Sequence, residues 1–166
     1  TSEEEKIKKK SLLESAIKMK NIEIINLLLS NNSIDINLLS FCKSNNIEVK
    51  KSSLHYTIIK NNIEILKILL SHENIDINLL MDKKTDDMLE KFPPLYLAVK
   101  EGTLEALKLL ISHKNNQLND ICISEDSSSY AEKSALYFAV ENNKKEIVEF
   151  LSSCSDIDVN FKYIYN

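Results

Sequence analysis

The sequence predicts an all-α fold, a solenoid of helix-turn-helix repeats that carry short β-hairpin-like fingers. Three observations predict it. The chain of 166 residues repeats itself every 41 residues. It holds one Gly and two Pro, too few for the many tight turns of a sandwich or barrel. Its apolar residues fall into short stretches with helical spacing. At 43% apolar, it has enough such residues to bury a core.

The repeat is read without gaps from Ser11, Ser52, Pro93 and Ser134. Five columns then hold one residue type in all four copies. These are the Leu13, Leu54, Leu95, Leu136 column and the Glu23, Glu64, Glu105, Glu146 column. The others are Leu28, Leu69, Leu110, Leu151, then Ser30, Ser71, Ser112, Ser153, and finally Asn37, Asn78, Asn119, Asn160. Composition bias does not place five columns at one spacing.

Residues 1–10 precede the array, as a short N-terminal helix or the remnant of a preceding repeat. Ser2 and Glu5 fit a capping box ahead of the small cluster Lys6, Lys8, Lys9 and Lys10. The array itself is 11–166, in copies 11–51, 52–92, 93–133 and 134–166. Each copy opens on a helix start: Ser11, Ser52 and Ser134 can cap with a hydroxyl, and Pro94 suits the first helical position. In the second copy Leu54, Thr57 and Ile58 make the buried stripe of the first helix, and Ile65, Leu66, Leu69 and Leu70 that of the second. Lys20, Asn61, Gly102 and Asn143 stand between the helices, where a sharp turn demands a left-handed residue. Gly and Asn accept that conformation readily; Lys20 does so under strain. After the second helix come Ile34-Asp35-Ile36-Asn37, Ile75-Asp76-Ile77-Asn78, Asn116-Gln117-Leu118-Asn119 and Ile157-Asp158-Val159-Asn160. Their alternation, degraded in the third copy, predicts extended chain. Polar loops follow at Cys42–Lys51, Met81–Lys91 and Cys122–Lys133, and these complete the fingers.

The arrangement resembles the ankyrin repeat, whose signature T-P-L-H-x-A opens the first helix. Its counterparts are Ser52-Ser53-Leu54-His55-Tyr56-Thr57, Pro93-Pro94-Leu95-Tyr96-Leu97-Ala98 and Ser134-Ala135-Leu136-Tyr137-Phe138-Ala139, with a weaker Ser11-Leu12-Leu13-Glu14-Ser15-Ala16. Asn62–Leu70 looks like the family's second helix and the Ile-Asp-Ile-Asn stretch like its exit strand. The resemblance spans residues 11–161. It departs in period, since the family's is about 33 residues, which leaves about eight extra per copy in the fingers, where insertions disturb stacking least. The Gly usual after the second helix is also missing, and Asn32 and Asn74 are expected to take that left-handed place.

Several functions are disfavoured. One Gly cannot build a GxGxxG turn, a GxxxxGK[ST] phosphate loop or a GxSxG elbow. All 21 basic residues are Lys and the net charge is −4, so neither a basic face nor Arg is available to read nucleic acid. No apolar run approaches the roughly 20 residues that span a bilayer. Cys42, Cys122 and Cys154 match no disulfide or metal pattern and read as free thiols in an intracellular, cytoplasmic setting. Thr1 in place of an initiating Met suggests a cut-out fragment, and the apolar Tyr163-Ile164-Tyr165 suggests an array continuing beyond Asn166. His72, Glu73 and Asp76 miss the HExxH pattern, because Asp76 stands where the second His belongs. Stacked helices hold His72, His113 and Cys154 too far apart to share a metal. In the resembled motif His55 is a structural brace. No catalytic, cofactor or metal site is expected, and no enzymatic activity.

The resemblance implies a monomeric scaffold for protein–protein interaction, with its partner on the concave face made by first helices and fingers. The alternative is a regulatory or targeting segment of a larger protein whose catalytic part lies outside this stretch. The positions the family varies for recognition are Lys18 and Met19, Ile59 and Lys60, Lys100 and Glu101, Glu141 and Asn142, with Lys51, Phe92 and Lys133 before the first helices. Ile59 and Phe92 are expected as an exposed apolar pair; otherwise Phe92 packs under its own finger beside Met88 or Leu89.

Overall fold

The computed structural model describes residues 7–166. Helices come in four pairs: α1 (Leu12–Lys18) with α2 (Ile22–Leu29), α3 (Ser53–Ile59) with α4 (Ile63–Leu70), α5 (Pro94–Glu101) with α6 (Leu104–Ile111), and α7 (Ala135–Glu141) with α8 (Lys145–Ser152). First helices pack on first helices, and α4 packs on α6. The core runs through these layers, where Leu54, Leu66, Leu69, Leu107 and Leu110 are fully buried.

The expectation of an all-α fold is overturned. Strands make up 21% of the chain and form one eight-stranded antiparallel sheet in sequence order. They are β1 (Ile7–Lys9), β2 (Ser40–Ser44), β3 (Ile47–Lys51), β4 (Met81–Lys84), β5 (Met88–Phe92), β6 (Ile121–Asp126), β7 (Tyr130–Ser134) and β8 (Ile164–Tyr165). Each finger is a full hairpin, and each also bonds to the next finger: β3 pairs with β4 and β5 with β6. Strands β2 to β7 lie within or just overrun the stretches that read as polar loops. Their side chains are charged because cross-strand neighbours neutralise one another, as in Lys43 with Glu48 at 2.7 Å and Lys83 with Glu90 at 2.9 Å. Asp82–Asp86, which looks dispensable by sequence, includes most of a strand bonded on both edges. Of the N-terminal segment, Ser2 and Glu5 lie outside the described residues, and Ile7–Lys9 is a strand on the edge of β2 rather than a helix.

Helix ends follow the sequence closely. Ser11 Oγ accepts from Glu14 N–H at 3.0 Å and Ser134 Oγ from Tyr137 N–H at 3.1 Å. The inter-helix residues are left-handed in all four copies: Lys20 at φ 55°, Asn61 at 48°, Gly102 at 75° and Asn143 at 53°. Each supports the same pair of bonds, such as Asn61 N–H to Ile58 C=O at 2.9 Å and Asn62 N–H to Thr57 C=O at 3.1 Å. That is the Schellman arrangement. Lys20 adopts it at a steric cost of about 1 kcal/mol that Gly102 avoids. Asn32 and Asn74, by contrast, are not left-handed.

Two of the invariant columns now have a physical reason. Ser30, Ser71, Ser112 and Ser153 each close the second helix by donating a hydroxyl to the carbonyl three residues back, at 2.6–2.9 Å. The Asn column ties one copy to the next. Asn37 donates to Asn74 C=O at 2.8 Å and accepts from Asp76 N–H at 2.9 Å. Asn78 does the same with Asn115 C=O and Gln117 N–H, and Asn119 with Asp156 C=O and Asp158 N–H. Hence the Ile-Asp-Ile-Asn stretches are not exit strands. They are turns, in which the Asp carboxylate takes the N–H of its own Asn, as Asp76 does for Asn78 at 2.9 Å.

His55 fixes the start of α3. The backbone N–H of Ser52 donates to its Nδ1 at 3.2 Å, and Ser52 Oγ lies 2.8 Å from the same atom. Nδ1 thus acts as the acceptor and the proton of the neutral ring sits on Nε2. The carbonyls of Leu79 and Phe92 favour the charged form without closing a hydrogen bond to Nε2. Burial dominates and lowers the pKa to about 4.

Two measurements check this account. Asn78→Ala removes both bonds to the next copy and should cost about 1–3 kcal/mol in urea unfolding. Asn160→Ala should cost almost nothing, because its side chain makes no such bond among the described residues. Equal costs would remove the ladder from the account. For His55, the unfolded chain takes up a proton near pH 6.5 and the native chain only near 4. Stability should therefore fall by about 3 kcal/mol as pH drops through that window. His55→Tyr, which places there the residue of Tyr96 and Tyr137, should remove that part of the pH dependence.

Candidate partner-binding face

The face in question is the corner where the sheet meets the layer of first helices. Each odd-numbered strand from β1 to β7 runs straight into a first helix, so a residue at or beside the strand's end and a residue about two turns along the helix flank the corner. Eight positions separate these two residues at every strand-to-helix junction: Lys10 and Lys18, Lys51 and Ile59, Phe92 and Lys100, Lys133 and Glu141. At the third junction the Lys100 ammonium lies 4.0 Å above the Phe92 ring. At the fourth junction, Lys133 and Glu141 are ion-paired at 2.8 Å. At the first, Lys10 and Lys18 line the same cleft, and the neighbouring Lys10 ammonium lowers the pKa of Lys18.

The structure gathers Lys18, Lys51, Ile59 and Lys60 in one cleft of about 280 Å³ between the first two copies. Lys51 stands 4.9 Å from the centre of the Tyr56 ring and Lys60 6.0 Å from it. Burial lowers the pKa of Lys51. Met19 is exposed at the end of α1 outside the lining, and Glu101 and Asn142 are exposed at the ends of α5 and α7. Lys100 and Lys133 are half-buried in the later copies. Phe92 is no part of an exposed pair. It is 1% exposed, with its ring 6.1 Å from Tyr96 and Lys100 over it. The column that holds Lys in three copies holds an apolar anchor here, so Phe92 serves the core, and Ile59 is only partly exposed.

Sequence reasoning missed Lys8, Lys10, Glu14 and Tyr56, which share the cleft. Glu14 had a visible signal: it occupies the column of His55, Tyr96 and Tyr137. Its side chain is 4% exposed, and Oε2 has no hydrogen-bond partner among the described residues. A larger hollow of about 470 Å³ lies apart, beside Val140, Val148 and Lys145 of the fourth copy. It is an open depression that gathers none of the corner residues, and the cleft, which gathers four, is the better candidate.

The residues whose types suggest chemistry have structural partners or are buried. His72 and His113 each accept from the backbone N–H two residues on, at 3.2 and 3.3 Å. Burial pushes the Cys122 thiol up to about 11, far from a thiolate nucleophile. No group of His, Cys, Asp or Glu among the described residues could hold a metal ion, and no described helix is long and apolar enough to cross a membrane. Against known proteins, a family model of ankyrin repeats, in three copies, matches residues 77–163, just over half of the chain. No curated protein matches it.

Proposed function

The chain belongs to the ankyrin-repeat family, and from that premise we propose that it is a protein–protein interaction scaffold whose partner lies along the corner between first helices and fingers. Ankyrin repeats generally bind proteins and are typically non-catalytic. The array is read as residues 11–166 in four copies of one register. The observation that carries the reading is how the chain distributes variation. Positions that hold the array together repeat, as in the Ser helix caps and the Asn ladder. Along the corner the residue changes from copy to copy: Lys18, Ile59, Lys100 and Glu141 in one column, and Met19, Lys60, Glu101 and Asn142 in the next. Recurrent residues serve stacking and changing ones are free to serve recognition. Phe92 is excluded from that surface by its burial.

Site-specific photocrosslinking tests the reading. A photoreactive residue at Lys60, Glu101 or Asn142 in the full chain should capture a partner protein from the source cell. The same residue at the exposed Lys67, Glu105 or Glu149 of the second helices should not. Capture from the second helices alone would place the partner on the opposite side and end the proposal.

A further inference from the structure

We propose that the cleft between the first two copies takes an acidic peptide segment of the partner, its carboxylates held by Lys10, Lys18, Lys51 and Lys60 and one of its N–H donors by the buried carboxylate of Glu14. The inference rests on the reading of the corner as the partner face and names the chemistry of what it holds there.

Charge is the first support. The whole chain carries −4, yet the cleft is lined by five lysines against the single acid Glu14. In the fingers and at the fourth junction, Lys43, Lys83 and Lys133 each have a carboxylate within 3 Å. No lysine of the cleft has an ion pair among the described residues. The corner pair makes the contrast sharper. Where the third junction has a cation on a ring and the fourth an ion pair, the first sets Lys18 against Lys10, a repulsive arrangement that an incoming carboxylate would turn into an attractive one. The Tyr56 ring beneath Lys51 and Lys60 steers both ammonium groups while leaving their remaining donors free.

Glu14 selects among anions. A buried carboxylate oxygen without a donor among the described residues is an anomaly in a folded protein, and the residue that carries it lines the cleft. A ligand that satisfies both demands must bring acceptors to the lysines and a donor to Glu14. A peptide with Asp or Glu side chains does so, because every backbone unit carries an N–H. A phosphodiester backbone offers acceptors alone, and its charge would stand against Glu14. The volume of about 280 Å³ is below the range of drug-sized sites and suits a few side chains rather than a duplex.

The test uses the full chain and fluorescence anisotropy with a labelled short peptide of alternating Glu and Ser. A Gln-Ser peptide and a single-stranded oligonucleotide of equal charge are the comparisons. The Glu-Ser peptide should bind, weaken as salt rises, and lose about tenfold or more in affinity with Lys18→Glu or Lys51→Glu. Lys18 is exposed, so its reversal leaves the fold intact, which a thermal melt verifies. Lys145→Glu, in the hollow of the fourth copy, should leave affinity unchanged. Equal binding of the Gln-Ser peptide, tighter binding of the oligonucleotide, or indifference to Lys18→Glu would each overturn the proposal. If the acidic peptide fails to bind while crosslinks still form at Lys60 and Glu101, this inference falls and the partner face stands. If crosslinks form only from the second helices, the partner face falls, and with it the assignment of the peptide to the partner.

Discussion

A helix of seven or eight residues does not hold together alone in water, and every helix described in this chain is that short. Each pair has one stripe to bury and finds its cover only in the neighbouring pairs. Stacking is therefore the constraint on which the rest depends. It is met at three levels of the same copy. Leu66, Leu69, Leu107 and Leu110 close the helix layers, the Asn ladder locks adjacent turns, and the fingers join edge to edge. The extra residues of each 41-residue copy go into that third level. They convert loose fingers into a sheet that runs the length of the array.

The ends show what stacking is worth. Ile24 is 41% exposed, whereas its counterpart Ile65 one copy along is 1% exposed. Val140 is 60% exposed and its counterpart Val99 fully buried. Identical positions differ because a neighbour covers one face and not the other. In a nearest-neighbour array, stability is greatest where both faces are covered.

Most of this was legible in the sequence. The period gave the copies, and residue chemistry gave the Ser caps and the left-handed Asn61, Gly102 and Asn143, with even Lys20 forced into the same turn. The sheet was not legible, because Lys43, Glu48, Lys83 and Glu90 carry charge along strands whose buried apolar residues, such as Met81 and Phe92, stand at the strand ends, so the pattern of a half-buried strand is weak. Conversely, Ile75-Asp76-Ile77-Asn78 alternates like a strand but is a turn, since Asp76 and Asn78 spend their side chains on backbone groups. The corner was half legible. Lys18, Lys51, Ile59 and Lys60, singled out by their columns, line one cleft, while Phe92, expected to be exposed, is buried because an apolar residue at a Lys position turns inward. Lys10 and Glu14 were missed because their meaning lies in what faces them across the cleft.

The account makes the array a chain of neighbours, each pair stable only through the next, and amide hydrogen exchange on the free protein reads that directly. Protection should be greatest in α3, α4, α5 and α6 and in the strands β3 to β6 between them, and should decline toward α1 and α2 at one end and α7 and α8 at the other. Uniform protection across all four copies would contradict it, showing one cooperative block whose stability does not depend on having neighbours on both sides.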